Sequence, residues 1–396
     1  MRKRRWIAGF AAVALLAGAC TDDSDDGASD DEGGSATTAA IEGGTESEFF
    51  DQAEMEAQLA MRDAEPEGPA DMPWEQAIDP EFVDTSEFAT EGPWTVCFSN
   101  AAVDNPWRQV GFNTMQAEVG LHSEIGEFEV LDAEAADDKQ ISDIETLTTR
   151  GCDALIVSPN TTATLTPAVE EACETGIPVI VFDRGVNTDC PVTFIKPIGG
   201  YAFGADAAEF LVDEVDPGGK ILALRILPGV DVLETRFAAA QAIFEDSELE
   251  LVGAEFTEGD PATTKSIVSD YIAREGELDG IWMDAGATAP AAIEAFEDAG
   301  VDVPPITGED QQDFLQKWQE DDLTAVAPTY PTYQWRTPII AAVRILSGEE
   351  VPAEWNLPQP LITEDTLEDY IQPDMPPLHY ALCGCEDMPG FPEDWQ

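Results

Sequence analysis

The chain has 396 residues, of which 81 are Asp or Glu and only 18 are Lys or Arg, so its formal net charge is −63. This charge argues against nucleic acids and anionic lipid surfaces as partners, because phosphate binding requires clustered cations. The length fits about two domains of ~150 residues plus tails. The scarcity of Lys predicts a host that lives in high salt, where ions screen the repulsion. An acidic secreted surface in ordinary medium is the alternative.

The N-terminus has the pattern of an export signal. Residues 2–5 are basic, and residues 6–16 form an apolar run that is too short to cross the ~30 Å of a bilayer core as a helix. The following sequence LLAGAC, residues 15–20, resembles the bacterial lipobox, whose cysteine receives a lipid. We therefore expect a signal peptide over residues 1–19 and a lipid anchor on Cys20. A plain secretory signal with an incidental cysteine is the alternative.

Residues 20–92 are predicted to form an acidic disordered tether. Residues 21–47 are mostly Asp, Glu, Gly, Ser, Thr and Ala, and such a segment cannot bury enough apolar surface to offset the entropy of ordering. Phe49, Phe50, Met55 and Leu59 have a loosely helical spacing and predict a short helix packed on the main body. A linker of this kind would hold a folded domain away from a membrane.

Strands alternate with helices from residue 93 onward. Apolar runs at 95–99, 128–132, 153–158 and 178–182 predict strands, and helical spacing occupies the segments between them. The pattern restarts after Pro197, with strand-like runs at 220–227, 249–256, 279–284, 303–310 and 323–330. Repeated βαβ units imply parallel sheets with helices on both faces. The fold class is therefore α/β, with two doubly wound parallel-sheet lobes.

The sequence IPVIVFDRG at 177–185 is the strongest candidate for a binding site. Its apolar residues predict a buried parallel strand that breaks off into Asp183 and Arg184. In open α/β sheets, ligands bind at the carboxyl ends of the strands, where the loops converge. A salt bridge that caps the strand is the alternative reading.

A family resemblance extends from about residue 93 to 372. The residues that carry it are FSNAAVDNPWRQVGFNTMQAE, KQISDIETLTTRGCDALIVSPN, IPVIVFDRG, ETRFAAAQAIFED and TGED. They resemble the type I periplasmic solute-binding proteins of ABC sugar transporters, in the branch with ribose and galactofuranose receptors. The resemblance implies two lobes joined by a three-strand hinge, with crossings near Pro197, Thr329 and residues 362–366. The N-terminal lobe would comprise 93–197 and 329–364, and the C-terminal lobe with its tail 198–328 and 365–396.

The same resemblance implies a set of ligand-contacting side chains. Asp183 would accept two sugar hydroxyls and Arg184 would donate to the sugar, while the Trp107 ring would cover its apolar face. Asp284 is a weak candidate, because many relatives have an Asn-Asp pair where this chain has Asp-Ala-Gly. Trp107 as a core residue, Arg236 as a solvated helix charge and Asp310 as a helix N-cap are the alternatives. The implied set is Asn105, Trp107, Arg108, Ser158, Asp183, Arg184, Arg236, Asp284 and Asp310.

Other chemistry is largely missing from the sequence. It has no phosphate-binding GxxxxGK[ST], no GxGxxG and no GxSxG nucleophile elbow. His379, Cys383 and Cys385 could bind a metal, but two cysteines in the tail of an exported protein favour a disulfide. Cys152 and Cys173 could also pair, and Cys97 fits a buried free thiol. We expect no cofactor, no bound metal and no enzymatic activity.

The sequence therefore predicts a lipid-anchored extracytoplasmic solute-binding protein. It would capture a small sugar by hinge closure, pass it to the permease subunits of an ABC transporter, and function as a monomer at the outer face of the cytoplasmic membrane or in the periplasm. A receptor for a furanose-like signal or another polyol is the alternative, because such a receptor shares the fold and much of the site.

Overall fold

A computed structural model describes Ser47 and residues 49–396 of the chain. The predicted signal peptide, Cys20 and most of the acidic segment up to residue 48 lie outside the described residues. Within the described part, no helix is both long enough and apolar enough to cross a membrane.

The N-terminal lobe is built on a six-stranded parallel sheet with the order β13-β6-β5-β4-β2-β3. Helices cover both faces of this sheet, so its central strands are buried on both sides and consist almost entirely of apolar residues. The strands are β2 (Trp94–Asn100), β3 (Ile125–Asp132), β4 (Ala154–Ser158), β5 (Val179–Phe182), β6 (Thr193–Pro197) and β13 (Glu354–Leu357).

The C-terminal lobe repeats the plan, with the strand order β14-β11-β10-β9-β7-β8. Its pairs are parallel except for β14, which runs antiparallel to β11 at the edge. The strands are β7 (Lys220–Arg225), β8 (Glu250–Phe256), β9 (Gly280–Met283), β10 (Ile306–Thr307), β11 (Ala325–Pro328) and β14 (Leu361–Ile362). A separate antiparallel pair joins β1 (Phe82–Val83) to β12 (Val351–Pro352).

The helices connect the strands and supply the outer layers. In the N-terminal lobe, α2 and α10 pack on one face of the sheet and α3 and α4 on the other. In the C-terminal lobe, α7, α8 and α9 lie opposite α5 and α6. The helices are α1 (Gln52–Arg62), α2 (Pro106–Val119), α3 (Asp137–Arg150), α4 (Thr162–Glu174), α5 (Gly200–Glu214), α6 (Asp231–Asp246), α7 (Pro261–Glu275), α8 (Ala289–Ala299), α9 (Gln312–Asp321) and α10 (Thr337–Ser347).

The chain crosses between the lobes three times. The first crossing follows β6 at residues 198–199, the second follows β11 at 329–331, and the third lies between β13 and β14 at 358–360. The first two agree with the predicted positions. The third was predicted at 362–366 and lies earlier, because Leu361 and Ile362 already pair with β11 of the C-terminal sheet. Residues 361–364 therefore belong with the C-terminal lobe.

Residues 49–92 form an N-terminal strap that lies against both lobes. The backbone N–H of Asp51, at the start of α1, donates to the Tyr201 hydroxyl of α5 at 2.9 Å. Farther along, Ile78 N donates to the Asn356 carbonyl of β13 at 2.8 Å. This part of the predicted tether is thus folded, and the predicted short helix is α1. Apolar side chains such as Met55 and Ile78 become buried in the lobes, which offsets the entropy of ordering an otherwise polar segment.

Residues 373–396 form a C-terminal strap, which was assigned to the C-terminal lobe from the sequence. In the structure it contacts both lobes. Leu382 N donates to Asp310 Oδ2 of the C-terminal lobe at 2.8 Å, and Trp395 Nε1 donates to Thr114 Oγ1 in α2 of the N-terminal lobe at 3.0 Å. The two straps add further links between the lobes to the three crossings.

The described cysteines form three disulfides, Cys97–Cys152, Cys173–Cys190 and Cys383–Cys385. The predicted Cys152–Cys173 pair is wrong, and Cys97 is not a free thiol. Cys97 lies in β2 and Cys152 just before its neighbour β4, on the same apolar face, which sequence spacing does not reveal. Cys173 at the end of α4 bonds to the loop that follows β5.

Candidate functional site

A cavity of about 330 Å³ opens where the two sheets direct their strand ends toward each other. This volume is within the range of small-molecule sites, about 300 to 1,000 Å³. Both lobes, the second crossing and the C-terminal strap contribute side chains. The polar and aromatic lining includes Asp104, Asn105, Trp107, Arg108, Asp183, Arg184, Arg236, Glu258, Glu309, Tyr330 and Tyr380, and Ile226, Leu227, Val230, Val232 and Leu233 supply apolar surface.

Asp183 and Arg108 form a buried ion pair at the N-terminal side of the cavity. Arg108 Nη2 lies 2.8 Å from Asp183 Oδ2, and both side chains are almost fully buried. Ser158 Oγ, at the end of β4, lies 3.5 Å from the same carboxylate oxygen. Because these contacts all use Oδ2, Oδ1 retains its capacity to accept from a ligand. Ser158 itself does not line the cavity and supports the pair from behind.

The backbone at Asp183 takes a left-handed conformation, with φ of +69°. Few residues other than Gly, Asn and Asp adopt this conformation readily. It occurs where β5 ends and the chain turns, and its N–H donates to the Ile195 carbonyl at 3.0 Å. Strained backbone held by surrounding contacts is common at binding sites. The turn places Asp183 and Arg184 next to each other on the cavity wall.

The N-terminus of α2 presents Asn105, Trp107 and Arg108 to the cavity. Asn105 caps the helix, because its side-chain oxygen accepts from Arg108 N at 3.0 Å. Pro106 is the first residue of the helix, a position at which the backbone N–H that proline lacks would have no partner within the helix. Trp107 is half-buried against the core and donates its Nε1–H to the Tyr330 carbonyl at 2.7 Å. The Trp107 ring therefore belongs both to the core and to the cavity wall.

Arg184 lies beside Arg108 with a single backbone acceptor. Its Nη1 donates to the Asn160 carbonyl at 2.5 Å. Burial, and then the nearby Arg108 charge, lower the pKa of Arg184 to about 10. The side chain thus stays charged at neutral pH, with donors left for a ligand oxygen.

Arg236 of α6 faces the cavity from the C-terminal lobe. Only 3% of its surface is exposed, so the alternative of a solvated helix charge is wrong. Its guanidinium packs 3.8 Å from the centre of the Phe203 ring and 4.8 Å from that of Tyr330. Its Nη1 donates to the Asp284 carbonyl at 2.5 Å and lies 3.5 Å from Glu309 Oε1.

Asp284 and Asp310 are buried but do not line the cavity. Both carboxylate oxygens of Asp284 accept from Ile226 N, at 2.9 and 3.1 Å, and Asp310 Oδ2 accepts from Leu382 N at 2.8 Å. The prediction that they contact the ligand is not supported by this placement. Burial raises the pKa of Asp284 to about 7 and that of Asp310 to about 6. Each instead shapes a loop that carries lining residues.

Glu309, Tyr330 and Tyr380 line the cavity, although the sequence analysis did not single them out. Burial raises the pKa of Glu309 to about 7, against the opposing effect of the Arg236 charge. Tyr380 Oη donates to Glu309 Oε2 at 3.4 Å. Glu309 is the immediate neighbour of a predicted site residue, and Tyr330 is the last residue of a predicted strand. Nothing in the local sequence marks Tyr380.

His379, Cys383 and Cys385 are the predicted alternative metal ligands, and they lie close together in the C-terminal strap. Among the described residues they form a group whose ligand atoms lie within 4.8 Å of one another. The two sulfurs are joined in a disulfide, so they offer no thiolate for a metal. Two of the carboxylates that line the cavity, those of Asp183 and Glu309, already face guanidinium groups. This chemistry suits a ligand rich in hydroxyl groups, which both donates to carboxylates and accepts from arginines.

The chain has two lobes built on parallel sheets, three crossings between them and a ligand-sized cavity at their interface. This arrangement defines a two-lobed solute-binding protein. A family model described as periplasmic binding protein domain matches residues 96–350. The match covers more than half of the chain, so the protein belongs to this family. The predicted family and fold class are confirmed.

Individual relatives agree with this assignment. The ribose import binding protein RbsB of Bacillus subtilis is 24% identical over 287 residues, which cover 72% of this chain and 92% of that protein. A solute-binding protein structure from Thermobispora bispora has a TM-score of 0.65 at 21% identity, over 72% of this chain and 90% of that chain. A Bacillus halodurans protein with bound myo-inositol also reaches 0.65, at 22% identity, over 71% and 98% of the two chains.

Proposed function

We propose that this protein captures a neutral monosaccharide or related polyol in the cleft and delivers it to the permease of an ABC transporter. The observation that carries the proposal is the Arg108–Asp183 pair with Arg184 beside it, buried at the strand ends inside the cavity. The paired charges offer fixed acceptors and donors at once, which matches the two-way hydrogen bonding of a hydroxyl group.

Two further features support a sugar-like ligand. The Trp107 ring and the Tyr330 ring give the cavity aromatic surface, which suits the C–H faces of a sugar. Several relatives are also named for polyhydroxylated ligands, among them ribose, xylitol and galactofuranose. Closure of the two lobes about the crossings would then bury the ligand, and the permease would recognise this closed conformation. Binding proceeds without chemical turnover.

The site residues proposed for direct contact are Arg108, Asp183, Arg184, Trp107 and Arg236. Asn105 contributes as the cap of α2, and Ser158 contributes through its contacts with the ion pair. Export and attachment to the outer face of the cytoplasmic membrane through Cys20 complete the proposal. The lipid would keep the binding protein close to its permease, and the protein would act as a monomer.

A thermal-shift screen across pentoses, hexoses, furanoses and polyols tests the function. A ligand present at 100 times its dissociation constant stabilises the folded state by ~2.7 kcal/mol. The protein should melt at a higher temperature with at least one of these ligands, and the ligand should be recovered unchanged. A melting temperature that no member of the panel raises, or conversion of the ligand to a product, would contradict the proposal.

Calorimetric titration of Asp183→Asn with the sugar found in the screen tests the site. Asn tolerates the left-handed backbone at this position, so the change removes the charge without forcing a rearrangement. The Asn oxygen can still accept, but a hydrogen bond to a charged partner contributes ~1.5 to 3 kcal/mol and a neutral one only ~0.5 to 1.5 kcal/mol. Loss of the charge at two such bonds should therefore lower affinity by roughly 10- to 100-fold. Asp189→Asn is the matched control, because Asp189 is an exposed residue of the same loop. Equal affinity in both variants would place the binding site elsewhere.

A further inference from the structure

The C-terminal strap is built into the ligand site rather than attached to its outside. Its first part lies along the C-terminal lobe, where Gln312 N donates to the His379 carbonyl at 2.9 Å and Ala381 N donates to the Asp310 carbonyl at 2.9 Å. Its next residue turns to the segment just after the second crossing, where Tyr333 N donates to the Leu382 carbonyl at 2.9 Å. The strap lies outside residues 96–350, the part that the family model matches.

The strap binds one of two neighbouring carboxylates of the C-terminal lobe, and the other lines the cavity. Leu382 N donates to Asp310 Oδ2, so this carboxylate is used to hold the strap and lies outside the cavity lining. The neighbouring Glu309 lines the cavity instead. Glu309 is 4% exposed and has a guanidinium and a phenol as its polar neighbours.

Tyr380 is the strap residue that reaches the cavity. Its hydroxyl lies 3.4 Å from Glu309 Oε2, and Arg236 Nη1 lies 3.5 Å from Glu309 Oε1. Both distances exceed the usual 2.5 to 3.0 Å for O–H···O and 2.7 to 3.2 Å for N–H···O bonds. These bonds are therefore weak. A ligand hydroxyl that donates to Glu309 and a ligand oxygen that accepts from Tyr380 would form shorter, stronger bonds in their place.

We propose that Tyr380, carried by the C-terminal strap, is a specificity-determining contact that acts with Glu309 on two adjacent oxygens of the ligand. Glu309 accepts from one hydroxyl, and the phenol of Tyr380 donates to the neighbouring oxygen. The pair selects ligands with adjacent hydroxyls on the side that faces the C-terminal lobe. This inference rests on the proposed function, since it takes the ligand to be a sugar or polyol.

Titration calorimetry on the full mature chain tests the inference with the sugar identified by the screen. Tyr380→Phe keeps the ring and removes the hydroxyl, so affinity should fall by about 3- to 10-fold, the value of one ordinary hydrogen bond. Tyr370→Phe is the matched control, because it makes the same change at a tyrosine near the strap that does not line the cavity. It should bind as the wild type does. Unchanged affinity in Tyr380→Phe overturns the inference.

Deoxy analogues of the same sugar separate direct contact from a structural effect. Each analogue lacks one hydroxyl. The analogue that lacks the oxygen bound by Tyr380 should bind the wild type and Tyr380→Phe with equal affinity, because neither complex can form the Tyr380 hydrogen bond. If Tyr380→Phe weakens every analogue by the same factor, the residue only supports the fold and the inference fails. If the wild type binds no sugar or polyol, the proposed function itself fails and the inference falls with it. These outcomes are distinguishable in one series of titrations.

Discussion

Tyr330 donates its hydroxyl to the backbone carbonyl of Asp183 at 3.2 Å. Tyr330 lies in the second crossing, and Asp183 follows β5 of the N-terminal lobe, so the bond joins the hinge directly to the backbone of a residue that we propose binds the ligand. The Tyr330 carbonyl accepts from Trp107 at the same time. A movement of the hinge at Tyr330 therefore acts on two residues of the N-terminal lobe that line the cavity, Asp183 and Trp107.

Tyr330→Phe should weaken sugar binding by about 3- to 10-fold, because one hydrogen bond that fixes the strained backbone of Asp183 is lost. The protein should still fold, since the ring and its packing are kept. Calorimetric titration measures the effect, and Tyr370→Phe again supplies the matched change away from the cavity. Wild-type affinity in the Tyr330 variant would show that the other contacts of Asp183 hold its backbone without Tyr330.

The raised pKa of Glu309 predicts a dependence of stability on pH. Its pKa rises from 4.5 to about 7 in the folded state, so the folded protein holds this proton more tightly than the unfolded chain does. The free energy of unfolding should therefore fall as pH rises from about 4.5 to about 7. Asp284 and Asp310 contribute with the same sign. One proton accounts for a slope of at most about 1.4 kcal/mol per pH unit.

Urea unfolding at several pH values in high salt measures this slope, and Glu309→Gln should make it shallower. Glu350→Gln, a change at an exposed glutamate, should leave it as in the wild type. If the two variants have the same slope, Glu309 does not retain its proton in the folded state.

The net charge predicts that salt stabilises the protein. With a formal charge of −63, surface carboxylates repel one another, and the screening length falls from about 10 Å at 0.1 M to about 3 Å at 1 M salt. The melting temperature should rise as NaCl increases over this range. Exposed ion pairs such as Lys265–Glu294 weaken in salt, but such pairs contribute little. A constant or falling melting temperature would favour an ordinary acidic surface over adaptation to high salt.

Peptide mapping without reduction should recover the disulfides Cys97–Cys152, Cys173–Cys190 and Cys383–Cys385. Thiol labelling of the unfolded, unreduced mature protein should modify none of these cysteines. A linked pair of Cys152 and Cys173 peptides, or labelling of Cys97, would instead support the expectation drawn from the sequence.

Replacing the predicted lipid-bearing residue tests the anchor. Cys20→Ser should release the protein from membranes, because a serine cannot receive the thioether-linked lipid. Fractionation of cells that express each form measures the change, with the unaltered chain as the reference. Membrane association that persists in the variant would rule out Cys20 as the point of attachment.

The N-terminal half of the site could be predicted from the sequence because it depends on local order. Asp183 and Arg184 come directly after an apolar strand, and parallel strands place their carboxyl ends together. The choice between Glu309 and Asp310 could not be made in this way. In the structure Asp310 accepts from the backbone N–H of Leu382, 72 residues away, and no periodicity or spacing connects the two residues.

The part of the N-terminal strap beyond α1 escaped prediction for a related reason. Its composition is polar, and beyond α1 its apolar anchors are isolated residues such as Ala77 and Ile78, which join separate core clusters. Composition measures how much apolar surface a segment has, but it does not reveal whether the rest of the protein offers a place to bury it. A segment with few apolar residues is therefore predicted to be disordered, even where each of those residues is buried in the folded protein.

The Cys173–Cys190 disulfide has a thermodynamic consequence for ligand capture, although neither cysteine lines the cavity. It ties the loop after β5, which carries Asp183 and Arg184, to the end of α4. A loop restrained in this way has little conformational freedom left to lose when a ligand arrives, so the entropic penalty of binding is smaller. A larger part of the free energy of the polar contacts then remains as binding free energy. The disulfide would thereby raise affinity without contacting the ligand.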